Sequence, residues 1–301
     1  MRKALLVALC LVTGFCCFGQ SKVLSIIGSS TAAGTGASPS DSSYVNRLNY
    51  YYNNLGISLT VHNLAVGGYN CFRGLPTSFL TDPPPPPFEL LDVPYPNNNQ
   101  TKALSFGPDV VIVGYPSNYY HFEEWTVAKI LEAHQIIYDS VIAAGKICYI
   151  TTPQPRQDGG TFGTPELRQK LKDIRDAMMV QFGNFAIDFW TGIALADNTI
   201  NPIYSAGDNI HLNNAGHKEL FKRVRDKDIF GIGLINRAIA DGNWNNPLIW
   251  ENEYVPTIED SVSILPGRTI TIDINAEVRI LNVHPSASLT ITQGRTLKIG
   301  N

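Results

Sequence analysis

Asp109 to Gly114 reads DVVIVG, apolar at successive rather than alternate positions. A strand tolerates that pattern only where both of its faces are covered. The run has companions. Lys22–Gly28 (KVLSIIG), Lys146–Thr152 and Phe185–Phe189 are similar short apolar segments, and Ser58–Leu64 alternates before running into Ala65-Val66-Gly67-Gly68. Helical patterns separate them: Tyr44–Leu55 stopped by Gly56, Glu123–Ala144 closed by Gly145, Pro165–Phe182 followed by Gly183, and Asn213–Arg225 after a polar loop. Strand and helix in alternation specify an α/β chain, with a parallel sheet covered by helices on both faces. Ligands of such sheets bind beyond the carboxyl ends of the strands. The loops after Gly28, Leu64, Gly114 and Thr152, and the loop before the last helix, are therefore the places to look for chemistry.

The ends of the chain read differently from its middle. Arg2 and Lys3 precede an apolar stretch from Ala4 to Phe18, and a small residue, Gly19, precedes Gln20. That is the layout of a secretory signal peptide over residues 1–19, which places the mature protein outside the cell, in the periplasm or on the cell surface. Phe15 and Cys16, just ahead of Cys16 and Cys17, do not suit lipoprotein processing. Cleavage would remove three of the five cysteines and leave Cys71 and Cys148, enough for one disulfide at most. The formal charge is −3, so the chain is not built as a basic nucleic-acid or membrane-surface binder, and no later stretch has the length of a bilayer span. Residues 70–107 are irregular, with five consecutive prolines from Pro83 to Pro87 that must run as extended polyproline II.

After about residue 240 the texture changes. Residues 20–240 hold the alternating pattern, 241–256 are rich in Asn, Trp and Pro and read as a linker, and 257–301 read as short Thr/Ile/Val strands with turns. Within them Ile264–Ile272 (ILPGRTITI) matches Ile291–Ile299 (ITQGRTLKI), and Ser288–Ile291 echoes the strand halves. Repeated units of this kind predict a small β-rich tail of solenoid type.

Several residues at the predicted sheet edge are chemically suggestive. Ser30, in Gly28-Ser29-Ser30-Thr31, sits on a strand-to-helix turn, where a hydroxyl is presented as a nucleophile would be. Asp208-Asn209-Ile210-His211 lies before the last helix, with a spacing that lets the carboxylate turn back onto its own histidine and fix its tautomer. Asn63 to Gly68 ends one strand in backbone free of side chains, and Gly114-Tyr115-Pro116-Ser117-Asn118 ends another with an amide NH₂. Taken singly, each has an ordinary reading as a turn or helix cap. A metal site from Asp208, His211 and His217 lacks a fourth ligand of suitable spacing, and the Ser30 loop has neither a Walker lysine nor a complete GxGxxG for phosphate.

The joint order is more informative: Ser after the first strand, Gly after the second, Asn after the third, and Asp-x-x-His before the last helix. In this the chain resembles the SGNH/GDSL hydrolases over roughly residues 22–228. The resemblance implies a three-layer α/β/α sandwich of flavodoxin-like type. It implies Ser30 as nucleophile, His211 as general base and Asp208 as its orienting carboxylate. The oxyanion hole it implies consists of the Ser30 and Gly68 N–H groups and the Asn118 amide, with Gly67 competing for the glycine role. Ser29 stands where the family usually has Asp, Thr31 where it usually has Leu, Ala65 where a glycine is common, and the Gly114–Asn118 block is looser than the usual Gly-x-Asn-Asp. These departures fall on the oxyanion side more than on the triad. An α/β-hydrolase is a poorer match, because it needs a mid-chain GxSxG.

The implied function is a secreted serine esterase acting on carboxylic esters without metal or organic cofactor. Carbohydrate O-acetyl groups are the favoured substrate, given the leader and the tail. Tyr69, Tyr119 and Tyr120 are candidate substrate-lining residues, with Tyr115, Trp125 and Trp190 as further aromatics near the mouth. Lipid or aryl esters are the alternative within the family, and a catalytically dead carbohydrate-binding module is the alternative outside it. The tail is free to contact a polymer, a cell surface or further repeats.

Overall fold

The computed structural model describes residues 21–301 apart from 56, 81–91, 116, 158, 160–162, 233–234 and 301. The expected signal peptide and the five-proline run lie outside the described residues. The chain divides into two compact units, one ending at Lys218 and the other beginning at Glu219.

The first unit is built on five parallel strands, β1 (Ser21–Gly28), β2 (Ser58–Asn63), β3 (Val110–Gly114), β4 (Ile147–Thr151) and β5 (Ala186–Ile187), in the order β2-β1-β3-β4-β5. That is the flavodoxin-like order, whose connections change direction between β1 and β3. Every residue of β3 is buried, as its unbroken apolar run requires. Val111 and Val113 join a core with Ile137 and Val141 of helix α4 (Val127–Ala143) and Ile174 and Met178 of helix α5 (Pro165–Phe182). Val110 and Ile112, which the pleat turns to the other face, are equally buried.

The helices begin where short polar side chains cap them. Ser43 accepts from the Asn46 N–H ahead of α2 (Tyr44–Asn54), Thr126 from Lys129 ahead of α4, and Thr164 from Leu167 ahead of α5, which has Pro165 in its first turn. Asn213 serves α6 (Asn214–Asp226), its Oδ1 accepting from Ala215 and Gly216. Two elements differ from expectation. The segment 70–107 holds a six-residue helix, α3 (Gln100–Ser105), capped by Asn99. Strand β5 has two residues rather than five, because the Asp188 carboxylate accepts the Trp190 and Thr191 N–H groups and turns the chain. Cys71 and Cys148 are both free thiols in the core, and burial pushes both well above the usual thiol range.

In the second unit every strand pairing is parallel. Strands β6 (Ile235–Ala238), β8 (Ser261–Ile264) and β11 (Ile280–Val283) form one sheet. Strands β7 (Gly242–Asn243), β9 (Thr269–Ile272) and β12 (Ser288–Ile291) form a second, and β10 (Ala276–Val278) with β13 (Leu297–Ile299) a third. Successive coils contribute one strand to each sheet, so the tail is a three-sided parallel solenoid. Its coil differs from the sequence repeat. Ser261 pairs with Ile280 and Thr269 with Ser288, nineteen residues apart, whereas the matching nonapeptides are twenty-seven apart. The nonapeptides are two corners of the winding, one coil and one side apart, each turning at a glycine in the left-handed region, Gly267 (φ 72°) and Gly294 (φ 79°). Residues 241–256, read as a linker, instead belong to the solenoid. Trp244 and Trp250 are fully buried in its core, edge to face at 4.8 Å, with the Trp250 indole donating to the Trp244 carbonyl at 2.9 Å.

Candidate active site

The carboxyl ends of β1 and β3 lie side by side, Gly28 opposite Gly114. A Cβ on Gly28 would come 2.8 Å from the Gly114 carbonyl oxygen, so only glycine lets the backbone turn this tightly. The Ser29 N–H then donates to that same oxygen at 3.0 Å, and Ser29 enters a single turn of helix, α1 (Ser30–Ala33), as its N-cap. Ser30 is thus the first helical residue at the sheet edge, at the point where the strand order reverses. Gly34 (φ 90°) ends the turn with its N–H on the Ser30 and Thr31 carbonyls.

Asp208 and His211 meet as the spacing predicts. Asp208 Oδ1 accepts the Ile210 and His211 N–H groups at 2.9 and 2.8 Å, and Oδ2 lies 2.6 Å from His211 Nδ1. A left-handed residue between them, Asn209 (φ 60°), makes the turn tight enough. Partial burial pushes the Asp208 carboxyl up, but the hydrogen bonds from the His211 backbone and ring and from the Ile210 N–H outweigh it and hold the carboxyl at about 2. It is a permanent anion facing the imidazole. Nδ1–H donates to it, which leaves Nε2 as the free lone pair.

Three ties hold this loop beside the Ser30 turn. A Cβ on Gly36 (φ 93°) would overlap the Leu212 carbonyl and crowd the His211 Cβ. Ser38 and Asn214 exchange two hydrogen bonds. His217 accepts the Tyr44 N–H at Nδ1 and donates from Nε2 to the Thr35 carbonyl, so both ring nitrogens are engaged by backbone. It is a buried structural histidine, and burial holds it below the usual imidazole range. Among the described residues no cluster of His, Cys, Asp or Glu is arranged to hold a metal ion.

The glycine and asparagine blocks arrive from β2 and β3. The β2 end continues along β1 through the Leu64 and Val66 N–H groups on the Ile26 and Gly28 carbonyls. Gly67 is the glycine that faces Ser30, a Cβ there standing 3.9 Å from the Ser30 Cβ. Gly68 faces open space and is required by its positive φ of 80°. Asn118 Nδ2 donates to the Tyr69 carbonyl at 2.7 Å, which places the amide on the Gly67–Tyr69 turn. Arg156 donates to Asn118 Oδ1 and to the Ser117 carbonyl, fixing which way the amide points. One N–H of the Asn118 amide is thus used on Tyr69, and an amide nitrogen carries two. Tyr119 (φ 62°) takes the strained conformation that the loosened third block demands.

The candidate aromatic lining needs correction. Tyr120 is fully buried, and Tyr115 and Trp125 also lie in the core, as does Trp190. Tyr119 is stacked between Phe122 at 5.8 Å and Trp125 at 5.3 Å, so its ring faces are occupied by protein. Tyr69 is half-buried, with the Tyr95 ring edge-on and the Arg73 guanidinium over its face. Missing from the sequence reading were Arg156 and Gln154, which act through contacts far apart in the chain and carry no local signature.

No protein-family model matches the chain, and no curated protein matches it. Solved structures do. The fold is similar to a protein of the G-D-S-L family from Desulfitobacterium hafniense DCB-2, at 14% identity over 68% of this chain and 99% of that one, with a TM-score of 0.50. It is equally similar to TesA, at 15% identity over 68% of this chain and 97% of that one, TM-score 0.50. This is the SGNH/GDSL hydrolase fold. Within it, the Ser30 turn, the Gly67–Gly68 turn, Asn118 and the Asp208–His211 loop all gather at one sheet edge.

Proposed function

We propose that this protein is a carboxylic ester hydrolase using Ser30, His211 and Asp208. The observation that carries the proposal is the 2.6 Å Asp208–His211 contact in a loop stitched to the Ser30 turn. The carboxylate orients the imidazole through Nδ1 and leaves Nε2 to serve as the base. The SGNH/GDSL fold supports the same reading.

In this mechanism His211 Nε2 takes the Ser30 proton as Oγ attacks the ester carbonyl. Asp208 stabilises the imidazolium that forms. The oxyanion is held by the Ser30 N–H, by an N–H of the Gly67–Gly68 turn with Gly68 as the first choice, and by the second N–H of Asn118. Each such donor is typically worth ~10²–10³ in turnover. The tetrahedral intermediate collapses with the proton passing from His211 to the leaving alcohol. Water, deprotonated by the same imidazole, then cleaves the acyl-enzyme.

For substrate we infer O-acetyl groups on carbohydrate, and for location the cell exterior. The leader-like N-terminus and the attached solenoid support both. The test is hydrolysis of p-nitrophenyl acetate, p-nitrophenyl octanoate and an acetylated polysaccharide by the full chain. Acetate release from the polysaccharide with little octanoate turnover is expected. Ser30→Ala should abolish all of it while moving Tm by no more than a few degrees. Preference for octanoate would overturn the carbohydrate assignment, and wild-type turnover in folded Ser30→Ala would overturn the nucleophile.

A further inference from the structure

The hydrolase reading leaves unexplained why Thr31 and Gln154 are where they are. Gln154 lies just past the end of β4 and is 4% exposed. Its Oε1 accepts the Thr31 hydroxyl at 2.9 Å, and its Nε2 donates to the Ile210 carbonyl at 2.6 Å. One side-chain amide therefore joins the residue after Ser30 to the residue before His211.

The Ile210 carbonyl belongs to the same peptide plane as the His211 N–H, and that N–H is held by Asp208 Oδ1 at 2.8 Å. The plane is gripped at its oxygen by Gln154 and at its nitrogen by Asp208, so it cannot rotate without breaking one bond or the other. A second tie from the same loop, the Gln157 N–H on the Asn209 carbonyl at 2.8 Å, fixes the preceding peptide. Chemistry selects the side chain. The span needs an acceptor for a hydroxyl and a donor for a carbonyl at fixed separation, which Gln supplies. Glu would set a second oxygen against the Ile210 carbonyl, and Asn is one methylene short. Threonine at 31 supplies the hydroxyl.

We infer that Gln154 is a positioning residue that locks the His211 backbone to the Ser30 turn through Thr31. This rests on the ester-hydrolase reading. It does not touch substrate. Its loss should therefore lower kcat, because small misplacements of catalytic groups are costly, with little change in small-ester KM.

The experiment compares the full chain with Gln154→Leu, Thr31→Val and the double variant, on p-nitrophenyl acetate and by proton NMR of the His211 Nδ1–H resonance. For Gln154→Leu the expected result is a kcat loss of roughly 10- to 100-fold with KM within two-fold. The Nδ1–H resonance should broaden or move. Thr31→Val should lose less, and the double variant should be no worse than Gln154→Leu, because the two substitutions cut one bridge. If Gln154→Leu fails to fold, Thr31→Val and Gln154→Glu carry the test. Variants with wild-type kcat and an unmoved resonance, in an active parent, overturn the inference alone. An inactive, correctly folded parent overturns the hydrolase reading instead.

Discussion

Asp208 and His211 show how much a local motif can carry. Four residues span the whole interaction, the carboxylate takes two backbone N–H groups and the ring, and nothing distant is required to form it. That is why the pair was legible in the sequence. Gln154 was not, because its partners are 123 and 56 residues away. His134 was not singled out either, and its burial bears on acid stability. It is fully buried on α4, its Nδ1 on the Ile130 carbonyl and its Nε2 without a partner. Burial lowers it to about 4, and the bond to Ile130 only partly opposes this. Unfolded, it titrates near ~6.5. Above that value both states are neutral. As pH falls towards 4 the unfolded state takes up a proton that the native state refuses, so stability declines by roughly 3 kcal/mol across the window. His217, also held low, adds to the same trend. His134→Leu should therefore flatten the fall in Tm between pH 7 and pH 4.5. A parallel curve would mean that this imidazole is not held below its unfolded value in the native protein.

Among the elements, strands β1 to β4 and helices α2, α4, α5 and α6 follow the sequence closely, since each combines an apolar period with a cap or stop. Helix α3 was missed because six residues show too little period, and because Asn97-Asn98-Asn99 looks like loop. Its signal is one buried side chain. Asn99 Oδ1 accepts the Lys102 N–H, while Nδ2 donates to the Leu75 carbonyl and to Thr77 Oγ1. A single amide caps the helix and pins the chain that follows the Gly68 turn. Asn99→Ala should cost about 2–3 kcal/mol, the sum of a cap and a buried carbonyl left without its donor, as read by urea unfolding. A loss below 1 kcal/mol would show that water or a shifted helix end replaces both bonds. The strands of the tail were legible but their winding was not. The matched nonapeptides mark two corners, one coil and one side apart, that each turn at a left-handed glycine, whereas the corner at 283–288, one coil after the first, has no glycine, so the sequence repeat does not follow the coil.

At the scale of the whole molecule, two architectures sit in one chain. The first gathers residues from four strand ends at the reversal of a parallel sheet, and brings Ser30 and His211, far apart in sequence, into one stitched cluster. The second is a solenoid whose middle coil is closed over Val262, Ile264, Ile270, Ile272 and Val278, all fully buried. Of the residues paired with these in the last coil, Val283, Ile291 and Ile299 are exposed, whereas Leu281 and Leu289 are half-buried. The pattern alone does not tell the two coils apart, because both place aliphatic residues at the same inward positions. The proposed reaction rests on covalent chemistry at one hydroxyl, that of Ser30. Incubating the full chain with a fluorophosphonate and mapping the adduct by peptide mass spectrometry tests it directly. A single phosphonyl group on Ser30, formed rapidly by the wild type and slowly by His211→Ala, is the predicted result; an adduct on another residue, or none on the folded protein, would contradict it.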